Sequence, residues 1–116
     1  MRTTAEVIAQ YNEAFRLHDP ALLDGLLAED CAIEDTGPAP DGARHVGREA
    51  CRRRWEGLAT DPAVQFIPED VEIHADLAVV QWRVRWGEGP DDQVRGVNLM
   101  RVKNGEITEG RGYVKA

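Results

Sequence analysis

Long hydrophobic runs are missing from this chain. No apolar stretch approaches the roughly 20 residues that cross a bilayer. The first residues, MRTTAEVIAQ, lack the apolar segment of a secretory leader. We therefore expect no membrane partner and a cytoplasmic location. Positive charge is also scarce: 14 basic residues stand against 21 acidic ones, for a net charge of −7. That balance argues against nucleic acid as a partner, because such proteins present a basic face. The one basic cluster, Arg52-Arg53-Arg54, reads as the solvated side of a helix. Lysine is nearly absent, and arginine with plentiful alanine and glycine suggests a GC-rich bacterial source. Cysteine is limited to Cys31 and Cys51, which lack the spacing of a disulfide framework and read as free thiols in a reducing compartment. His18, His45 and His74 are scattered without ligand spacing, so no metal site is expected. No glycine-rich phosphate loop, nucleophile elbow or Cys–His signature occurs, so no cofactor is expected either.

What remains is enough for one core. A chain of 116 residues, 42% hydrophobic and 30% charged, is one globular domain spanning 1–116. Thr3 and Glu6 form a capping box, predicting a helix to about His18 with Val7, Ile8, Tyr11, Ala14 and Phe15 as its inward stripe. Asp19-Pro20 opens a second helix through Leu27. Cys31–Thr36 alternates as a short strand with Cys31, Ile33 and Asp35 on one face. The turn-rich GPAPDGAR, 37–44, follows as a loop, then a third helix over Arg48–Ala59 with Cys51, Trp55 and Leu58 inward.

The second half is strand. Val64–Ile67 is a short candidate ended by Pro68, and Val71–His74 pairs with Leu77–Trp86 across Ala75-Asp76. In the latter run Ala78, Val80, Trp82, Val84 and Trp86 share one face, against Gln81, Arg83 and Arg85 on the other. Asn104-Gly105 is the strongest hairpin signal in the chain, joining Val94–Lys103 to Glu106–Lys115. Helices first and long antiparallel strands after predict an α+β domain whose curved sheet wraps a long N-terminal helix, with two further helices.

The segments LHDPALLDGLLAEDCAIED, HVGREACRRRW and RGVNLMRVKNGEITEGRGYVK carry a resemblance to the nuclear transport factor 2-like superfamily, in particular its SnoaL-like and ketosteroid-isomerase-like branches. The resemblance spans nearly the whole chain. It implies a cone-shaped, cystatin-like α+β barrel, a pocket between the long helix and the concave sheet, and a homodimer through the outer sheet face. Against bacterial ketosteroid isomerase, Tyr11 matches the oxyanion tyrosine of the first helix, and Asp35 in IEDT matches the general base. Asn98 in NLMRV stands where that enzyme has a protonated aspartic acid. An amide still donates a hydrogen bond there, a weaker one than a matched carboxylic acid gives.

Taken on their own chemistry, these residues suit proton abstraction next to a carbonyl. A base must reach the acidic carbon, and donors must meet the oxygen where charge develops. Asp35 shares a face with Ile33 and Cys31, an apolar setting that strengthens a carboxylate as a base. Asn98 is the lone polar member of the face Val94, Gly96, Asn98, Met100 and Val102. On the last strand Gly110, Gly112 and Val114 fall inward, and the two glycines suggest room for a ligand. With Trp82, Trp86, Trp55, Val80, Val84 and Phe15 as walls, the expected ligand is a small, flat, apolar molecule with a carbonyl or similar polar group.

Plainer roles stand beside these. Tyr11 could be a core tyrosine satisfied by a neighbour, Asp35 a cap on the following turn, Asn98 a bridge to backbone, and the glycines a bulge. A ligand-binding or dimeric scaffold domain without catalysis is the alternative function. An epoxide-hydrolase-like site would need a paired Asp–Arg–Asp in the cavity, and Arg83, Arg85 and Arg95 have outward parity. His18 could pair with Asp35 in a dehydratase-type dyad.

Overall fold

Thr3 begins the first helix as its side chain requires. Its hydroxyl accepts from the Glu6 amide at 3.1 Å, and its own amide donates to the Glu6 carboxylate at 2.9 Å. In the computed structural model, which describes residues 1–116, this helix, α1, spans Thr4–Arg16. Val7, Ile8, Tyr11, Ala14 and Phe15 are buried along one side, as the 3.6-residue period demands. The helix stops short of His18 because that residue takes a left-handed conformation (φ 55°). Asp19 then caps a single 3-10 turn, Pro20–Leu23, rather than a helix through Leu27. The sheet claims Leu27 instead, where it pairs with Ile107. The fold thus has two α-helices, not three; the second, α2, is Arg48–Ala59.

Six strands form one mixed sheet: β1 (Leu27–Glu34), β2 (Arg44–Val46), β3 (Gln65–His74), β4 (Leu77–Arg85), β5 (Gln93–Lys103) and β6 (Glu106–Val114), in the order β2-β1-β6-β5-β4-β3. The pair β1–β6 is parallel and the others are antiparallel. Asn104 (φ 54°) and Gly105 (φ 75°) turn β5 into β6 with both residues left-handed, as a type I′ hairpin needs.

Two departures from expectation shape the site. β3 runs through Pro68 with a register shift between Pro68 and Asp70, so the proline sits at a bulge rather than ending the strand. β2 has no counterpart among the elements expected from sequence, where the loop ends at Arg44 and nothing is assigned to His45 and Val46; its three residues pair with the end of β1, Ile33 opposite His45. Register also shifts between Arg101 and Val102 and between Leu27 and Ala32. Such irregularities bend strands, and the bent sheet receives α1 and α2 on its concave side. Ile8, Leu23, Leu26, Cys31, Cys51, Val80, Met100 and Ile107 are among the largest fully buried side chains of the core. No helix is long and apolar enough to cross a membrane.

Candidate functional site

The concave sheet and the two helices do not close completely. Between them lies a cavity of about 320 Å³, within the range of small-molecule sites. Phe15, Phe66, Trp82, Val84 and Val94 form one wall; Ile33, Trp55, Leu58 and Met100 form the other; Gly110, Gly112 and Val114 come from β6. Tyr11, Asp35, Asn98 and Arg54 contribute polar groups to the same space, and Glu34, Thr36, Asp61 and Arg111 complete its lining. Two residues expected in the walls lie elsewhere. Val80 has the right parity but is fully buried in core packing. Trp86 lies just beyond the end of β4 and is 50% exposed, its amide donating to Asp92 across the loop.

Tyr11 sits mid-stripe on α1. Its ring packs on Phe15 at 4.8 Å and edge-on to Trp55 at 4.9 Å between centroids. The residue is only 3% exposed, and its hydroxyl makes no hydrogen bond to a protein group, although it lines the cavity. Burial above all, then the Cys31 thiol and the Asp35 carboxylate, push its pKa far above the ordinary 10.0. Tyr11 therefore remains a neutral O–H donor.

Asp35 follows the last residue of β1 and is placed by the loop after it. Its amide donates to the Ala43 carbonyl at 2.8 Å, and the loop closes through Gly42 N–H to Pro38 O (2.8 Å) and Ala43 N–H to Gly37 O (3.0 Å). Gly42 is left-handed (φ 80°) and passes so close to the Asp35 carbonyl that any Cβ would collide with it. The carboxylate is not in apolar surroundings, as parity suggested. His45 Nε2 lies 3.0 Å from Oδ2, and Arg54 Nε is 3.1 Å from Oδ1 and 3.0 Å from Oδ2.

Sequence reasoning missed both partners. The histidine beside Asp35 is His45, delivered by the unforeseen β2; His18 instead places Nδ1 3.0 Å from the Ala59 carbonyl at the end of α2. Arg54 belongs to a cluster read as solvated. The available signal was its spacing from inward neighbours, three residues after Cys51 and four before Leu58. Arg83 and Arg95 do face outward, where both meet Glu69, at 3.2 and 2.9 Å. Of the Asp–Arg–Asp set that an epoxide-hydrolase-like site requires, the structure thus brings Arg54 to Asp35, from a helix rather than a strand.

Asn98 lies on β5 opposite Gly112. Its Oδ1 accepts from the Trp82 indole N–H at 3.0 Å. The glycines of β6 serve close approach more than empty room. A Cβ on Gly110 would lie 3.1 Å from the Trp55 ring and 3.2 Å from Met100 Sδ, and one on Gly112 would lie 3.2 Å from Asn98 Oδ1. Neither marks a bulge, because the register of β6 against β5 is regular from Glu109 to Val114.

Chemically, the arrangement offers the Asp35 carboxylate fixed beside the Arg54 guanidinium, with the Tyr11 and Asn98 donors, around an apolar, aromatic slot. The family model of the SnoaL-like domain matches residues 8–110. An NTF2-like protein of unknown function from Mesorhizobium loti is 50% identical and superposes with a TM-score of 0.90, covering 97% of this chain and 91% of that one. A candidate polyketide cyclase from Sinorhizobium meliloti (24% identity, TM-score 0.73, 91% and 92% covered) shares the fold. So does a protein of unknown function with a cystatin-like fold from Methylobium petroleophilum (17%, 0.76, 97% and 76%). The chain belongs to the SnoaL-like family of the NTF2-like superfamily.

Proposed function

We propose that the protein is a cofactor-independent enzyme of the isomerase or cyclase type, acting on a small apolar carbonyl compound by proton transfer. The reading is carried by one observation: Tyr11, Asp35 and Asn98 line the same cavity, the two donors on α1 and β5 and the carboxylate at the end of β1. Asp35 takes a proton from the carbon next to the carbonyl. The electron pair of that C–H bond moves to oxygen, where the Tyr11 hydroxyl and the Asn98 amide N–H stabilise the enolate. Returning the proton to another carbon gives isomerisation; attack of the enolate carbon on a second carbonyl gives ring closure. His45 and Arg54 hold the carboxylate in one orientation, which favours a reactive geometry. The aromatic and aliphatic walls exclude water from the enolate.

A non-catalytic binding domain is the competing reading, and the double engagement of Asp35 favours it. A carboxylate occupied by both a guanidinium and an imidazole also serves as a structural tie between β1, β2 and α2. The two readings part on solvent-deuterium exchange at the α-carbon of 2-tetralone, followed by NMR. Catalysis predicts exchange accelerated by the native protein and slowed about 100-fold or more by Asp35→Asn, with binding retained. Binding without exchange by the native protein decides for the second reading. Exchange that Asp35→Asn leaves untouched removes Asp35 as the base.

The partner of the outer sheet face is a second copy of this chain. Supporting this, Val97, Leu99 and Tyr113 lie there around Gln81, and Tyr113 is half exposed.

A further inference from the structure

An asparagine amide has two orientations of nearly identical shape, and they offer a ligand opposite chemistry. One presents N–H donors; the other presents an acceptor oxygen. At Asn98 a neighbour decides. The Trp82 indole is a donor only, so the atom facing it at 3.0 Å is Oδ1, and the N–H2 edge is left for the cavity. Turning the amide over would set donor against donor and leave the indole N–H of a residue only 6% exposed without a partner. An unpaired buried donor biases such an orientation by a factor of roughly 5–150.

The lock depends on a glycine whose backbone is otherwise unremarked. Gly96 stands opposite Trp82 in the β4–β5 register, two residues before Asn98 on the same face. It makes no turn and needs no left-handed φ, yet a Cβ there would collide with the Tyr113 carbonyl oxygen of β6 and lie 2.5 Å from Cη2 and Cζ2 of the indole. The missing side chain is what lets the ring lie across β5 and reach the amide. Gly112, on the other side of Asn98, keeps the carbonyl end of the amide clear in the same way. Arg54 adds to this character. Only its Nε meets Asp35, and a guanidinium has no acceptor in any state.

We propose that Trp82 is a specificity-determining positioning residue: by fixing the Asn98 amide with its N–H2 edge toward the cavity, it makes the site select ligands that present an acceptor oxygen and reject matched ligands that present a donor. The inference rests on the cavity receiving a small molecule, as in the proposed function, but on no turnover. Ketones and enolates fit this subsite; neutral N–H bicycles do not.

The test compares 1-tetralone with 1,2,3,4-tetrahydroquinoline, two neutral bicycles of one size, by NMR titration of the native protein and of Trp82→Phe. The native protein should prefer the ketone about tenfold or more. Trp82→Phe keeps an aromatic ring, deletes the N–H and frees the amide to turn, so the preference should fall to about threefold or less, partly through tighter binding of the amine. A role in packing alone would weaken both ligands equally, and an unchanged ratio overturns the proposal. If neither bicycle binds, the small-molecule reading of the cavity loses its support, and the lock is judged on the free protein. A Trp82 indole proton protected from solvent exchange in the native protein supports it; one exchanging at the rate of an open indole refutes it.

Discussion

Replacing Tyr11 with phenylalanine separates a residue kept for a ligand from one kept for the core. The substitution leaves the ring, and with it the contacts to Phe15 at 4.8 Å and Trp55 at 4.9 Å, and removes one oxygen. Were that oxygen satisfied within the core, its loss would cost about 0.5–1.5 kcal/mol. For 116 residues the unfolding entropy is roughly 0.24 kcal/mol/K, so the melting temperature would fall by about 2–6 °C. The hydroxyl has no such partner and opens on the cavity, where water can solvate it in the free protein. Tyr11→Phe should therefore leave stability nearly unchanged, within about 0.5 kcal/mol or roughly 2 °C. Function should fall. Loss of one donor to a developing oxyanion slows reaction about 100-fold or more. Calorimetry paired with α-proton exchange of 2-tetralone reads both quantities on one sample. A melting temperature lowered by 4 °C with exchange unchanged would show that Tyr11 is a core tyrosine and that the reasoning is wrong.

Alkaline pH should destabilise the fold. Burial raises the Cys31 and Cys51 thiols above their ordinary 9.0 and Tyr11 above 10.0, so the unfolded chain releases these protons first as pH rises. Stability is therefore full below pH 9 and falls above it, by at most about 1.4 kcal/mol per pH unit for each group. Urea denaturation at pH 7, 9 and 10.5 measures this, and replacing both cysteines with alanine should flatten the first part of the decline. The outer-face dimer should sediment at twice the 12.9 kDa chain mass, and Leu99→Glu should convert it to monomer. A native chain that sediments as a monomer at micromolar concentration removes the second copy from the account.

Local signals held where they needed no distant partner. The capping box of Thr3 and Glu6, the bounds of α2 and the Asn104-Gly105 turn each depend on residues within four positions, and all formed as expected. Failures came where the sheet decided. Leu26 and Leu27 look helical in sequence, but pairing of Leu27 with Ile107 draws the chain into β1. Pro68 looks like a strand end, but a bulge absorbs it. The parity of β4 identified Trp82 and Val84 as inward, yet could not distinguish a residue under the cavity, such as Val80, from one lining it.

The candidate site divides along the same line. From sequence alone came the family, the placement of Tyr11 and Asn98 on inward faces, and Asp35 as the carboxylate worth following. These depend on period and motif, which are properties of neighbours along the chain. The surroundings of Asp35 do not. His45 reaches it because a three-residue strand pairs with β1, and Arg54 because α2 docks with one edge turned toward that strand end. The orientation of Asn98 was equally closed to sequence, since it is set by an indole on the adjacent strand that passes over a glycine. Side-chain direction along one element follows from its own residues, whereas the partner that a polar group finds across elements is settled only when the sheet bends and the helices close on it.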